Sequence, residues 1–274
     1  MTNEELENLE LELLFKALDK KYGYDFSQYS PDSAKRRVRK RVFEEGLESI
    51  SHLQHKVLHD ENAAEALLRH LSINVTEMFR DPQFYLSVQE NVLPDLRNQG
   101  HFKIWHAGCA TGQEPYSMAI LLSEAGLYDH ARLYATDFNN IALDKAKTAI
   151  YPLAEMKTYS TNYMAAGGQH SLSDYYHANY DGAAISPDLK RNIVFSNHNL
   201  AQDSGFGDVQ MIVCRNVIIY FDHDLQYRVL QMFTDSLCDG GYLCLGSHES
   251  LYLTKHDQYY EPVDGDQKIF RKVA

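Results

Sequence analysis

Two textures divide the chain. Up to about residue 90 apolar positions recur at helical spacing: Leu6, Leu9, Leu13 and Leu14, then Val38 and Val42, then Leu67, Leu68 and Leu71. The segment YSPDS (29–33) combines a turn at Pro31 with a helix start, where Asp32 or Ser33 can accept orphan amide protons. A second helix start follows Asp81-Pro82. From about residue 100 the pattern alternates. HFKIWHAG, RLYATD (132–137), VQMIVCRN (209–216) and GGYLCLG (240–246) read as strands. Between them, a segment opening at Glu114 with Pro115 as its first helical residue, IALDKAKTAI (141–150) and HDLQYRVLQMFTDSL (223–237) read as helices. Such alternation predicts a parallel sheet with helices on both faces. Residues 155–195, rich in Tyr, Gly, Ser and Asn, break the rhythm and read as an insertion carrying short strands or irregular structure. The expected organisation is a helical domain over 1–88 and an α/β domain over 89–274 that carries this insertion.

Composition narrows the setting. With 44% hydrophobic and 23% charged residues the chain is an ordinary globular sequence. Its opening is acidic and helical rather than a basic-then-apolar leader, and no apolar run reaches the ~18 residues of a membrane span. Cys109, Cys214, Cys238 and Cys244 form no CxxC pair, and none of the 13 histidines has metal-ligand spacing. A cytoplasmic location, no metal and no membrane insertion are therefore expected. The formal charge of −12 argues against nucleic acid.

The chemistry concentrates after the first strand. WHAGCATGQEPYS (105–117) is a strand-to-helix turn in which Gly108 and Gly112 allow tight backbone and close approach of a ligand. Asp137 ends the next strand, where a carboxylate can accept from both hydroxyls of a ribose. The pattern specifies a nucleoside cofactor without naming it. GxxxG is not the GxGxxG of a dinucleotide site and no phosphate loop is present, so a cofactor without phosphates fits better; S-adenosylmethionine is the common one.

Several blocks then carry a family resemblance: INVTEMFRD (73–81), AGCATGQEPYS (107–117), ATDFN (135–139), HNL (198–200), CRNVIIYFD (214–222) and GSHESL (246–251). In order and spacing they resemble the CheR-type chemotaxis receptor methyltransferases over essentially the full length. The resemblance implies a class I (Rossmann-like) methyltransferase domain with a small β-subdomain insertion, preceded by an all-helical domain. It implies transfer of the S-adenosylmethionine methyl group to glutamate carboxylates of a chemoreceptor-type protein, with S-adenosylhomocysteine as product. Residue by residue, Asn74, Thr76 and Arg80 would contact the cofactor from the lid side. Glu114 and Asp137 would hold its polar and ribose groups, and Asn199 and Leu200 would lie along the adenine. Arg215 and Asn216 would close the pocket, and Tyr220 would face the reacting methyl group. Arg80 and Tyr220 are the catalytic candidates, and Glu249 is a supporting residue. Gln113 departs from the family's usual glutamate, and the 155–195 insertion diverges most, which leaves tethering to a receptor tail open.

The reaction suits these residues. A glutamate of pKa near ~4.3 is ionised at neutral pH, so attack on a sulfonium methyl needs no strong base. One further feature fits a protein substrate. Lys35 to Arg41 holds six positive charges in seven positions. It reads either as a solvated helix face or as a dock for the acidic helical region of a receptor, and the latter is the better reading in an acidic protein. One alternative is a signalling adaptor that only senses the cofactor, which would be expected to have lost Arg80 or Tyr220; another is a methyltransferase of small molecules or nucleic acid, which the basic helical domain and the acidic net charge count against.

Overall fold

The computed structural model describes residues 1–71, 76–179, 182–251 and 254–273. They form two compact units, one of Met1–Asn74 with Tyr220–Gln226, the other of Val75–Ile219 with Tyr227–Ala274.

The first unit contains helices α1 (Asn3–Tyr22), α2 (Pro31–Glu44), α3 (Ile50–His59) and α4 (Glu61–Leu71). Thr2 and Glu5 close a capping box at the start of α1, and Gly23 ends it in the left-handed region. Its core stripe is Leu11, Leu14, Phe15 and Leu18, while Leu6, Leu9 and Leu13 lie exposed. Leucines surround this helix, so periodicity alone does not choose the inward face. At α2 the N-cap is Ser30, which makes no side-chain cap bond, and Pro31 takes the first helical position. Asp32 thus lies inside the first turn rather than at the cap. The segment at Tyr220 returns to this unit and pairs with the chain before α2: Ser30 N–H donates to the Tyr220 carbonyl at 2.8 Å and Asp222 N–H to Gln28 at 3.0 Å.

The second unit is built on a seven-stranded sheet. Its strands are β1 (Phe102–Ala107), β2 (Ala131–Asp137), β6 (Ile193–Asn197), β7 (Val209–Cys214), β8 (Leu237–Leu245), β9 (Tyr260–Asp264) and β10 (Ile269–Lys272), in the order β6-β2-β1-β7-β8-β10-β9. The first five are parallel, as the alternation predicts; β10 and β9 run antiparallel at one edge. The two antiparallel edge strands extend the parallel sheet that the alternation predicts. The hairpin turns at Asp264-Gly265, with Asp264 accepting from Asp266 and Gln267 amides, and needs no crossover helix.

Helices α5 (Pro82–Asn91), α6 (Leu93–Arg97), α7 (Gln113–Glu124) and α8 (Asn140–Thr148) belong to this unit, and α10 (His223–Ser236) precedes β8. Helix α7 begins at Gln113 behind left-handed Gly112, so Pro115 is its third residue rather than its first. The 155–195 segment holds an unpredicted helix, α9 (Leu153–Ala165), whose buried stripe is Met156, Tyr159 and Tyr163. Its Ser, Thr, Asn and Tyr content hides that i, i+3, i+7 spacing behind poor helix propensity. Beside it β3 (Ile150–Tyr151), β4 (Tyr176–Asn179) and β5 (Gly182–Ile185) make a small antiparallel sheet. Among the described residues no helix is long and apolar enough to cross a membrane.

Candidate active site

The site forms where parallel strands end and their carboxyl-terminal loops converge. Gly108 follows β1 at φ 78°, and its amide and that of Cys109 both donate to the Thr136 carbonyl at 2.8 Å. A Cβ at Gly108 would stand 2.5 Å from the Val217 side chain, and one at Gly112 (φ 92°) 2.8 Å from Ala146. Glycine is thus required twice over, by conformation and by space.

Asp137 closes β2 and is 7% exposed. Its carboxylate accepts from Ala110 N–H and Asn139 N–H, each at 2.9 Å, which ties it to the glycine turn. Burial pushes its carboxyl up to about 6, against the pull of the Asn139, Ala110 and Phe138 amides.

Around Glu114 the interior carries an ionic chain. Glu114 Oε1 lies 2.9 Å from His106 Nδ1, and its Oε2 lies 3.7 Å from Arg215. Arg215, 9% exposed, binds Asp81 at 2.6 Å, donates to the Arg80 carbonyl at 3.3 Å and stacks 4.2 Å over the Phe84 ring. Asp81 is 46% exposed, so its pair with Arg215 is screened by solvent, while Glu114, 17% exposed, is the more buried ionic partner of that guanidinium.

Asn216 adopts φ 61° after β7. Glu249, 3% exposed, accepts from the amides of Asn216 (3.1 Å), Val217 (2.8 Å) and Ile218 (2.9 Å), and from that of Gly246. It fastens the loop after β7 to the turn after β8.

The remaining candidates are placed as follows. Asn199 spends its side chain on the local turn, accepting from Ala201 N–H at 3.0 Å, while Leu200 beside it is half-buried. His198 N–H donates to the Asp137 carbonyl at 3.1 Å, which brings the HNL segment to the end of β2. Thr76 and Arg80 are half-buried. Asn74 lies outside the described residues. Tyr220 belongs to the first unit, with the Arg37 guanidinium 4.4 Å from its ring centre. The structure thus gathers Glu114, Asp137, Arg215 and Asn216, with the Arg80 backbone, at the strand ends. Two partners went unread in the sequence, Asp81 and His106. The first read as a helix start before Pro82, and the second as one of the histidines without metal spacing; both lie in motif blocks at 73–81 and 105–117, which was the signal available.

These groups suit S-adenosylmethionine. A buried carboxylate at the end of β2 matches ribose hydroxyls, and a carboxylate and a guanidinium side by side match an amino-acid arm that carries both charges. Comparison with known proteins agrees. Residues 74–269 match the CheR methyltransferase SAM binding domain, and residues 9–72 the CheR methyltransferase all-alpha domain. The chain belongs to the CheR methyltransferase family. Relatives include Cher3 of Pseudomonas putida, 45% identical over 99% of this chain and 100% of its own. The chemotaxis protein methyltransferase of Salmonella typhimurium is 30% identical over 83% of this chain and 79% of its own. Chemotaxis protein methyltransferase 1 of Pseudomonas aeruginosa is 28% identical over 89% and 91%. This CheR chain is an S-adenosylmethionine-dependent methyltransferase, and the family's function is methylation of chemoreceptor glutamates. Among the described residues no cluster of His, Cys, Asp and Glu could hold a metal.

Proposed function

We propose that this chain works in the cytoplasm, esterifying glutamates on the acidic helical region of a chemoreceptor or related sensor, with the residue roles carried by the family motif. The observation that carries the reading is the Glu114–Arg215–Asp81 chain set beside the Asp137-clamped glycine turn. The cofactor supplies an electrophilic methyl group on a sulfonium. Asp137 accepts from the ribose hydroxyls, and Glu114 receives the ammonium of the amino-acid arm. Arg80 pairs with the arm's carboxylate, with Asn74 and Thr76 on the same side. Asn199 and Leu200 border the adenine, and Arg215 and Asn216 close the pocket. Tyr220 aligns the acceptor carboxylate, which is already ionised, so alignment and exclusion of water supply the catalysis, worth up to roughly 7–11 kcal/mol in well-oriented systems. The 155–195 β-subdomain and receptor docking through the Lys35–Arg41 helix complete the reading.

The test is incubation with methyl-labelled S-adenosylmethionine and receptor-bearing membranes. Base-labile label on a receptor band is the expected result. Tyr220→Phe should keep S-adenosylhomocysteine affinity while slowing single-turnover transfer by roughly tenfold, the worth of one hydrogen bond to a charged group. Arg80→Ala should lose both. Label that resists base, or full transfer by Tyr220→Phe, contradicts the assigned chemistry.

A further inference from the structure

His106 lies outside the family's ligand set and touches one of its members. It stands on β1 with a fully buried side chain, and its Nδ1 lies 2.9 Å from Glu114 Oε1, while the Glu114 side chain keeps 17% of its surface exposed. A carboxylate only accepts, so the ring carries its proton on Nδ1. The second nitrogen, Nε2, is buried and finds no hydrogen-bond partner among the described residues. Burying an unpaired polar atom costs free energy that an apolar side chain on this strand would avoid. Nδ1 is therefore the nitrogen through which this ring acts on the site.

Its charge matters too. Arg215 is engaged by Asp81 at 2.6 Å and approaches Glu114 only to 3.7 Å. A neutral imidazole donor can fix the Glu114 rotamer without cancelling the negative charge that a cationic ligand needs. A lysine or arginine on β1 would fix it and neutralise it at once.

We infer that His106 is a positioning residue: its Nδ1–H holds the Glu114 carboxylate in the orientation that receives the ammonium of the cofactor's amino-acid arm. This rests on the reading of Glu114 as a cofactor ligand. The role is independent of receptor binding and shows in cofactor affinity alone.

Calorimetric titration with two ligands tests it. S-adenosylhomocysteine carries the amino-acid arm; methylthioadenosine shares the nucleoside and thioether and lacks the arm. His106→Leu and His106→Gln, which place no donor at Nδ1, should weaken S-adenosylhomocysteine roughly tenfold and leave methylthioadenosine within about twofold. His106→Asn, whose amide N–H falls near the Nδ1 position, should stay within about threefold of wild type for both. Glu114→Gln should show the same ligand split, and adding His106→Leu to it should weaken binding no further. Thermal melts accompany each variant; if His106→Leu does not fold, the Asn and Gln variants carry the comparison. Equal loss for both ligands, or His106→Gln binding S-adenosylhomocysteine as tightly as wild type while Glu114→Gln does not, overturns the role of His106. Undiminished S-adenosylhomocysteine binding by Glu114→Gln removes instead the reading of Glu114 on which it rests.

Discussion

The Asp137 carboxylate accepts from the amides of the glycine turn, and in the proposed function it also accepts from the ribose of the cofactor. Its raised pKa gives each a pH signature. Between the ordinary 3.8 and about 6 the folded protein holds a proton that the unfolded chain has lost. The group's contribution to stability is therefore complete below about pH 4 and lost as pH rises through about 6. Ligand binding runs the other way, because ribose hydroxyls donate to the ionised form. Affinity for S-adenosylhomocysteine should climb with pH through about 6 and level off above it, and Asp137→Asn should abolish the climb. Titrations between pH ~5 and ~8 decide this; a flat wild-type profile contradicts it. At saturating cofactor no such step belongs to turnover, since the acceptor glutamate is ionised from far lower pH. Glu249 makes the complementary case. Glutamine there presents an NH2 group to a set of backbone donors that includes Asn216, Val217 and Ile218 amides. Glu249→Gln should cost about 1–3 kcal/mol in urea unfolding with the m-value unchanged, and slow methyl transfer as the Asn216 loop loosens. An unchanged unfolding midpoint would mean the carboxylate contributes nothing.

At the scale of the element, α2 shows how a charge run is altered by packing. Of its six cations, Arg37 is buried, donates to the Leu71 carbonyl and covers the Tyr220 ring. Lys35 and Arg39 share Glu7, Lys40 faces Glu44 at 3.7 Å and Arg41 pairs with Glu45. The exposed cations are Arg36, Arg39 and Lys40, so the outward field is smaller than the sequence count suggests. If these dock the receptor, Arg36→Glu with Lys40→Glu should cut receptor methylation several-fold at low salt and leave melting temperature and S-adenosylhomocysteine affinity unchanged. The wild-type rate should fall with salt as charges are screened over ~8–10 Å. Arg37→Glu should instead destabilise the helical unit by roughly 3 kcal/mol or more, because it buries a carboxylate against a carbonyl. Equal methylation by the Arg36/Lys40 reversal and wild type would make the run a solvated face. The same element shows the limit of periodicity: its Val38 stripe was legible, yet nothing in the spacing said which cation would turn inward.

Across the whole molecule, the legible part is local. Strands β1, β2, β7 and β8 and the helices α7, α8 and α10 follow from the period of their own apolar residues, and the glycine turn from φ angles that only its own glycines accept freely. Asp137 could be placed because strand length and turn position put it at a strand end. The β9–β10 hairpin was also local, with Asp264-Gly265 as its turn signal, and a search beyond the last predicted strand would find it. Other features had no local signature. The pairing of residues 220–222 with 28–30 and the meeting of Arg215 with Asp81 join segments whose separation in sequence predicts nothing, because the entropy of closing a loop changes only slowly with its length. By itself, then, the sequence determined the layered α/β sheet, the glycine turn and the acid at the end of the second strand, since backbone conformation and side-chain period are properties of contiguous residues. Only the tertiary structure decided which charged groups face one another. That choice depends on the dielectric and packing of an interior that exists only once distant segments have come together.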